Sequence, residues 1–274
     1  MLNIQKKLNS VSENIELKDE IKSGPLSKIF LCNFNNIKSI IRFDLSLVSK
    51  LKIDRSNEIN ILKEISYLNI APNILYTNLN KGILIWEYIP GAELSINKKN
   101  QDIVLNDLGR VLKKIHQIKL PKKIKKEFNQ SISFYKNLLS NSLDQKIINK
   151  GLRLYDEILD DNLPNVFSHN DLNKSNLLIN NKIHFLDWEY ASMNHPYFDI
   201  ASLVVALSLN SEGINNLWQV YSGDSSLVDQ NKLNRWINFT YYLDYLWRRS
   251  IVELDNSHAD SMQLDKLESF LLNL

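Results

Sequence analysis

The sequence predicts an α+β chain in two parts: a small antiparallel sheet with one helix over residues 1–90, then a larger, mainly helical part over 91–274. Three observations carry this. Short β-rich runs separated by turn residues dominate the first ninety residues. A helical period takes over after Pro90-Gly91. A strand-rich island at 166–188 then interrupts the helices. A chain of 274 residues is long enough for one large or two modest domains.

The elements follow in order. Ile29–Phe34 and Ser39–Phe43 are extended runs around Asn35-Asn36, a turn pair because Asn tolerates positive φ. Over 54–68, Ile59, Ile61, Leu62, Ile65 and Leu68 recur at helical spacing, with Asp54 or Ser56 as cap and Pro72 as the stop. Ile74–Thr77 and Ile83–Tyr88 form a second strand pair across Lys81-Gly82, and Pro90-Gly91 ends it. Val104, Leu108, Val111, Leu112, Ile115 and Ile118 mark one long amphipathic helix, and 131–160 carry a further helical pattern.

Composition narrows the functional classes. Lys+Arg number 33 against 31 Asp+Glu, a net charge of +2, which is too balanced for a dedicated nucleic-acid binder. The run Lys119, Lys122, Lys123, Lys125, Lys126 sits at the Pro121 break and reads as a solvated linker. Cys32 stands alone, so neither an internal disulfide nor a Cys-rich zinc site is open to the chain. The longest apolar run, Ile200–Leu209, is broken by Ser202 and Ser208 and is about half of what a spanning helix needs. The first residues, MLNIQKKLNS, lack the apolar centre of a secretion signal. These features set the expectation of a cytoplasmic protein with neither a nucleic acid nor a membrane as partner.

The chemistry concentrates at Phe167–Tyr190. A two-residue turn at Asn180-Asn181 would set Ile179 against Lys182 and Leu178 against Ile183. Asn176 and Asp187 would then share one face at the same end of the hairpin. An amide oxygen and a carboxylate so placed suit Mg²⁺, an ion that commonly bridges to substrate phosphates. Asp171, at the start of the connecting loop, is placed to accept a hydroxyl proton. Each residue alone reads as structural, as a loop cap or a strand-end carboxylate. Together they fit the needs of phosphoryl transfer: a positioned base, neutralised phosphates and an in-line attacker.

Taken in combination, His169-Asn170-Asp171 with Asn176, then Asp187-Trp188-Glu189-Tyr190-Ala191, then Phe198-Asp199-Ile200-Ala201, resemble the choline kinase and aminoglycoside phosphotransferase superfamily over roughly residues 20–250. The D-W-E-Y block is most similar to the bacterial choline/ethanolamine kinase and thiamine kinase branches. The resemblance implies a protein-kinase-like fold with a small N-lobe and a helical C-lobe, and an ATP- and Mg²⁺-dependent transfer of phosphate to the hydroxyl of a small alcohol, cationic in character. It makes Asp171 the catalytic base and Asn176 and Asp187 the metal ligands. His169 and Asp199 become loop-fixing residues. Glu189 is assigned either to the surroundings of a second metal or to a cationic substrate.

On the nucleotide side the resemblance makes Arg42 a phosphate contact and Glu58 its ion-pair partner; the pattern alone fits two surface charges equally well. Ser23, Gly24 and Ser27 take the place of a glycine-rich phosphate loop, which here has a single glycine. Glu87-Tyr88-Ile89 becomes the connection whose backbone meets the adenine edge.

For the acceptor, the aromatic run Trp236–Arg249 offers Asp244, Tyr245 and Trp247 as a cation site, although most of its aromatics read as core. Choline kinases carry a W-x-x-W pair here. This chain has Trp247 but Ser250 in the second place, which weighs against choline and keeps thiamine in view. An aminoglycoside acceptor is an alternative. A metal-dependent hydrolase built on His169, Asp171, Asp187 and His195 is another, but it would leave Asn176, Arg42 and Glu58 without a role.

Overall fold

The computed structural model describes residues 4–142, 145–159, 163–255 and 261–274. The chain divides into two compact units. One holds the residues up to Gly91 together with His184–Glu189; the other holds Ala92–Ile183 and the residues from Tyr190 onward.

The first unit contains α1 (Ile4–Leu8), β1 (Ile15–Ser23), β2 (Ser27–Phe34), β3 (Ile37–Asp44), α2 (Leu47–Lys50), α3 (Arg55–Ile65), β4 (Ile74–Asn78) and β5 (Ile83–Glu87). The five strands form one antiparallel sheet in the order β1-β2-β3-β5-β4. Asn35 and Asn36 make the expected two-residue turn, with φ of 48° and 64°. Both lie in the left-handed region that the right-handed twist of a tight hairpin demands. Asp54 caps α3 by accepting from Asn57 N at 3.0 Å, while Ser56 donates its hydroxyl to that same cap oxygen.

Strand β1 is an addition to the expected pattern. Only Ile15 and Leu17 face the sheet's apolar side, and the register slips between Leu17 and Glu20 and again between Glu20 and Lys22. A bulged, mostly exposed edge strand keeps no two-residue period, so residues 14–50 read only as short extended pieces and the bounds of β1 go unmarked. The core on one face of the sheet gathers Phe30, Cys32, Phe34, Ile41, Phe43, Ile83 and Ile85, with α1 packed against it. Strand alternation turns Arg42 to the opposite face from Ile41 and Phe43. Gly82 closes the β4–β5 connection at φ 59°, and a Cβ there would lie 2.8 Å from the Asp44 Cβ.

The second unit contains β6 (Ala92–Glu93), α4 (Gln101–His116), α5 (Asn129–Leu138), α6 (Gln145–Ile158), β7 (Val166–Ser168), β8 (Leu177–Ile179), β10 (Ser192–Asn194), α7 (Pro196–Leu207), α8 (Ser211–Ser222), α9 (Gln230–Leu254) and α10 (Ser261–Leu272). Strand β9 (Ile183–Phe185) carries the chain from this unit to the first. The helical reading of 131–160 is met by α5 and α6; residues 143, 144 and 160 lie outside the described residues. Helix α9 is the spine, with Leu233, Trp236, Phe239, Tyr245 and Leu246 fully buried. It packs on α5, α6, α7 and α10, while α4 packs on α8. Among the described residues no helix is long and apolar enough to cross a membrane.

The Asn180-Asn181 turn is not formed as expected. The loop covers 180–182, neither Asn has positive φ, and Asn180 is tied locally to Lys182, its N donating to Lys182 O at 3.2 Å and its Oδ1 accepting from Lys182 N at 3.1 Å.

Candidate active site

The chemistry-bearing residues fall in both units. In the second, β7 pairs antiparallel with β10, Ser168 opposite Ser192, and the loop after β7 carries His169-Asn170-Asp171. Asp199, in the first turn of α7, is fully buried and straps this loop by its backbone. Its Oδ2 accepts from His169 N at 2.8 Å and its Oδ1 from Asn170 N at 2.9 Å. His116 Nε2 lies 3.1 Å from Asp199 Oδ2, and the Tyr221 hydroxyl is 2.8 Å from His116 Nδ1. Burial alone would push the Asp199 carboxyl up; hydrogen bonding and charge from His116, the His169 charge and the Asn170 N–H outweigh it and hold the group below the usual carboxylate range.

Asn170 has φ 65°, a left-handed conformation that Asn adopts more readily than most side-chain-bearing residues. Its side chain donates to Ser192 Oγ at 2.8 Å and Tyr190 O at 3.1 Å, and accepts from Asn194 Nδ2 at 2.8 Å. The next side chain, Asp171, is half-buried, and both of its oxygens are claimed by amides. Asn173 Nδ2 donates to Oδ1 at 3.0 Å and Asn176 Nδ2 donates to Oδ2 at 2.7 Å. Asn176 Nδ2 also donates to the Asp171 carbonyl at 2.9 Å, so the amide's nitrogen faces Asp171 and its oxygen is turned to the other side. The loop thus presents a carboxylate aligned by two amide donors. His169 Nδ1 accepts from Asp171 N at 3.3 Å, a structural duty consistent with its complete burial.

In the first unit the Arg42–Glu58 contact is bidentate, with Nη1–Oε1 2.8 Å and Nη2–Oε2 2.7 Å, and both side chains are buried. Asp187, also left-handed at φ 64°, places Oδ1 3.8 Å from Arg42 Nη1. Its segment is anchored by Phe185 N donating to Ile70 O at 2.7 Å and by the buried Trp188, whose Nε1 donates to Phe185 O at 2.9 Å. Arg55 enters the same cluster: Nη1 donates to Glu58 Oε2 at 3.0 Å and to Glu189 Oε2, and Nη2 lies 3.1 Å from Asp44 Oδ1. Asp44 Oδ1 is also 3.3 Å from Arg42 Nε.

Burial would lower the Arg42 pKa, yet Glu58, Asp44 and Glu189 overcome it and hold the group above its ordinary value. Burial would likewise raise Glu58, but Arg42 and Arg55 keep it low. Glu189 goes the other way: burial and the Asp187 charge push it to about 7 against the pull of Arg55 and Arg42. Two guanidiniums face Asp44, Glu58, Asp187 and Glu189, so with every carboxylate ionised the cluster carries two charges of negative excess (+2 against −4).

The remaining expected residues are placed as follows. Ser23, Gly24 and Ser27 form the β1–β2 turn, closed by Gly24 N donating to Ser27 O at 3.0 Å. Glu87 N donates to Asn73 O and Tyr88 N to Lys38 O, so both backbone donors are committed within the unit. Glu189 is engaged by Arg55 rather than presented alone to a cationic substrate. Tyr245 is fully buried on the inner face of α9, and its hydroxyl donates to Glu268 Oε1 at 3.0 Å. Asp244 is exposed and paired with Arg248 one turn on, at 3.0 and 3.1 Å. Trp247 is half-buried and donates Nε1–H to the Tyr190 hydroxyl at 2.8 Å.

Arg55, Asp44, Asn173, Asn194 and His116 have no part in the sequence reading of this machinery, and Tyr190 enters it only within the D-W-E-Y block. Of these, Arg55 left a usable sign: a cation three residues before Glu58 on a helix meets it on the same face. The hydrolase arrangement finds no support in the geometry of His195. That residue caps α7 through Nδ1, which accepts from Tyr197 N at 3.2 Å, and it stacks on Trp236 at 4.7 Å between ring centroids. Among the described residues no three His, Cys, Asp or Glu side chains gather as a metal-holding group.

A family model described as choline/ethanolamine kinase matches residues 19–247. Among curated proteins, a LicA homolog of Mycoplasma capricolum subsp. capricolum is 31% identical over 172 residues, which is 61% of this chain and 67% of that protein, so part of that relative lies outside the match. Among solved structures, the choline kinase LicA from Streptococcus pneumoniae superposes with a TM-score of 0.75 at 20% identity, covering 99% of this chain and 98% of that one. An ADP-bound aminoglycoside phosphotransferase superposes with a TM-score of 0.67 at 18% identity, covering 99% and 96%. At these identities the superpositions speak to the fold, which is that of the kinase-like neighbours: an antiparallel-sheet part and a mainly helical part.

Proposed function

Because this chain belongs to the choline/ethanolamine kinase family, we propose that it transfers the terminal phosphoryl group of ATP to the hydroxyl of choline or ethanolamine. The observation that carries the reading is the Asp171 carboxylate, aligned by Asn173 and Asn176 in a loop whose backbone is strapped to Asp199. A carboxylate so held is suited to take the acceptor's hydroxyl proton as the oxygen attacks the γ-phosphorus. The β–γ bridging bond then breaks and ADP leaves.

Asn176, through its amide oxygen, and Asp187 are the residues that would hold Mg²⁺; an amide and a carboxylate oxygen match the hard donors that ion takes, and the left-handed Asp187 leaves its carboxylate partly open. When bound, the ion neutralises charge on the nucleotide phosphates. Arg42, with its rotamer fixed by Glu58, is proposed to meet those phosphates. The Ser23-Gly24-Ser27 turn is proposed to lie over them, and Ile89 with the carbonyls of Glu87 and Tyr88 to meet the adenine edge. For the acceptor we assign Trp247 with Asp244 and Tyr190, an aromatic face beside a carboxylate suited to an ammonium group.

A coupled ADP-release screen against choline, ethanolamine, thiamine and several aminoglycosides tests this reading. Turnover with choline or ethanolamine, dependent on Mg²⁺, is expected. Turnover only with another acceptor overturns the acceptor assignment, and ATP consumption unaffected by Asp171→Ala overturns the role of Asp171.

A further inference from the structure

We infer that Arg55 is a positioning residue for the nucleotide side of the site, acting through Arg42 and the Asp187 segment; the inference rests on the kinase reading above. Arg55 is 8% exposed and occupies the first helical position of α3, where a side chain ordinarily reaches solvent. Here its guanidinium instead meets three carboxylates from three separate stretches of chain: Glu58 of α3, Asp44 at the end of β3, and Glu189 two residues beyond Asp187. One planar fork therefore ties the helix, the strand that bears Arg42 and the segment that bears Asp187.

The charge geometry shows what the tie accomplishes. Arg42 commits Nη1 and Nη2 to Glu58, and its Nε points at Asp44. The same two carboxylates are shared with Arg55. Arg42 Nε, Arg55 Nη2 and Asp44 Oδ1 meet at ion-pair distance without aligned hydrogen bonds, so their placement depends on the balance of charge more than on directional bonding. Without the Arg55 guanidinium, Glu58 would bear on Arg42, and Asp44 on Arg42 and on Lys7, whose ammonium donates to the Asp44 carbonyl at 2.9 Å. Arg42 would be drawn towards them and away from any phosphate it serves, and Glu189 would be left a buried carboxylate without its fork, free to drag the Asp187 segment from its place. A lysine would restore one charge but not a fork able to serve three separated oxygens.

The experiment compares wild type with Arg55→Gln and Arg55→Lys, each first checked by circular dichroism melting. Mg-ADP binding is measured by isothermal titration calorimetry, and KM for ATP and kcat are measured with the best acceptor. For Arg55→Gln, affinity for Mg-ADP is expected to fall by about tenfold, with KM for ATP rising by a similar factor and kcat changing less. Arg55→Lys is expected to recover part of the loss. A purely structural role would lower the melting temperature and the active fraction but leave KM and the dissociation constant of the folded fraction unchanged.

The inference is overturned if folded Arg55→Gln binds Mg-ADP as wild type does, or if kcat falls with KM unchanged. If Arg55→Gln does not fold, Arg55→Lys decides: weaker Mg-ADP binding supports the inference and wild-type binding overturns it. A wild-type chain that binds Mg-ADP but phosphorylates neither choline nor ethanolamine overturns the acceptor assignment alone, because the calorimetry still reports on Arg55. A wild-type chain that binds no Mg-ADP overturns the kinase reading and this inference together.

Discussion

In the second unit Asp171 is held by neutral groups: two amide side chains on its oxygens, and a backbone strapped at the two preceding residues. In the first unit Arg42 is held by charge, with Glu58 on its fork, Asp44 at its Nε and Asp187 within ion-pair reach. Neutral hydrogen bonds orient a carboxylate without pairing it to an opposite charge. Ion pairs orient a guanidinium by partly cancelling the charge that it would offer a phosphate. The first arrangement suits a group that must react, and the second suits a group that must stay in place under a highly charged ligand.

The largest expected effect separates chemistry from binding. Asp171→Asn keeps the side chain's shape and removes the base. Turnover is expected to fall by about 10²–10⁴-fold, the usual contribution of a positioned general base. Mg-ADP affinity should stay near the wild-type value, because the charged machinery for phosphates lies elsewhere in the proposed scheme. Calorimetry alongside ADP release checks both halves. A variant that loses nucleotide affinity and turnover equally would show that the neutral-loop description of Asp171 is wrong.

The next effect probes the charged side. Arg42→Met leaves Glu58 buried with Arg55 as its remaining cation, and Asp44 with Arg55 and Lys7. Breaking one partner of a buried pair is expected to cost about 3–5 kcal/mol of folding stability. Asn173→Ala removes one neutral donor from an already paired carboxylate, and is expected to cost about 1.5–3 kcal/mol or less. Urea unfolding of the two variants ranks the regions directly. A smaller loss for Arg42→Met than for Asn173→Ala would reverse the comparison.

A third effect lies in pH. Asp199 is held below the ordinary carboxylate range, so its folded form favours the ionised state more than the unfolded chain does. Its stabilisation is present above the unfolded carboxylate's pKa and is lost as pH falls through the lower, folded value. The groups that face it are His116, with Tyr221 behind it, His169, and the N–H groups of residues 169 and 170. Asp199→Asn is expected to be less stable than wild type by about 1.5–3 kcal/mol at pH 7. That gap should close as pH is lowered below the carboxylate range, in urea midpoints measured at successive pH values. A gap that persists unchanged at the acid end would mean that shape, and not charge, ties the loop to α7.

The same contrast explains what the sequence let a reader see. Asn35-Asn36, the Asp54 cap and the His169-Asn170-Asp171…Asn176 spacing are local: each is a residue type required by the backbone or chemistry within a few positions. What was illegible depends on distant partners or on broken periods. Strand β1 loses its alternation at two register slips, and the Asn180-Asn181 turn was displaced because Asn180 closes on Lys182. The hydrogen bond from the Tyr245 hydroxyl to Glu268, from another helix, has no local sign in the sequence either. Arg55 joins Glu58 locally, but its contacts with Asp44 and Glu189 come from the fold, and no periodicity announces a buried fork.

The smallest expected effect concerns the residues proposed for the acceptor on α9, where both kinds of holding meet on one surface. Asp244 pairs with Arg248 across one helical turn, and the two side chains are 46% and 28% exposed, so water screens the pair strongly. Removing it with Asp244→Ala is expected to change folding stability by only about 0.3–0.5 kcal/mol. Its effect on the acceptor should also be modest, since Arg248 already offsets the charge that a cationic acceptor would meet. Trp247 is different: half-buried, with its N–H held by the Tyr190 hydroxyl, it already carries a cation on its face, the Arg248 guanidinium 6.0 Å from the ring centroid, and so has the geometry to take an ammonium group in its stead. Trp247→Leu is therefore expected to raise KM for choline more than Asp244→Ala does, with KM for ATP unchanged in both. Initial-rate measurements over the acceptor concentration decide the order. A larger rise for Asp244→Ala would mean that the acceptor displaces Arg248 and takes the carboxylate for itself, making this corner of the second unit a charge-held site like that of Arg42.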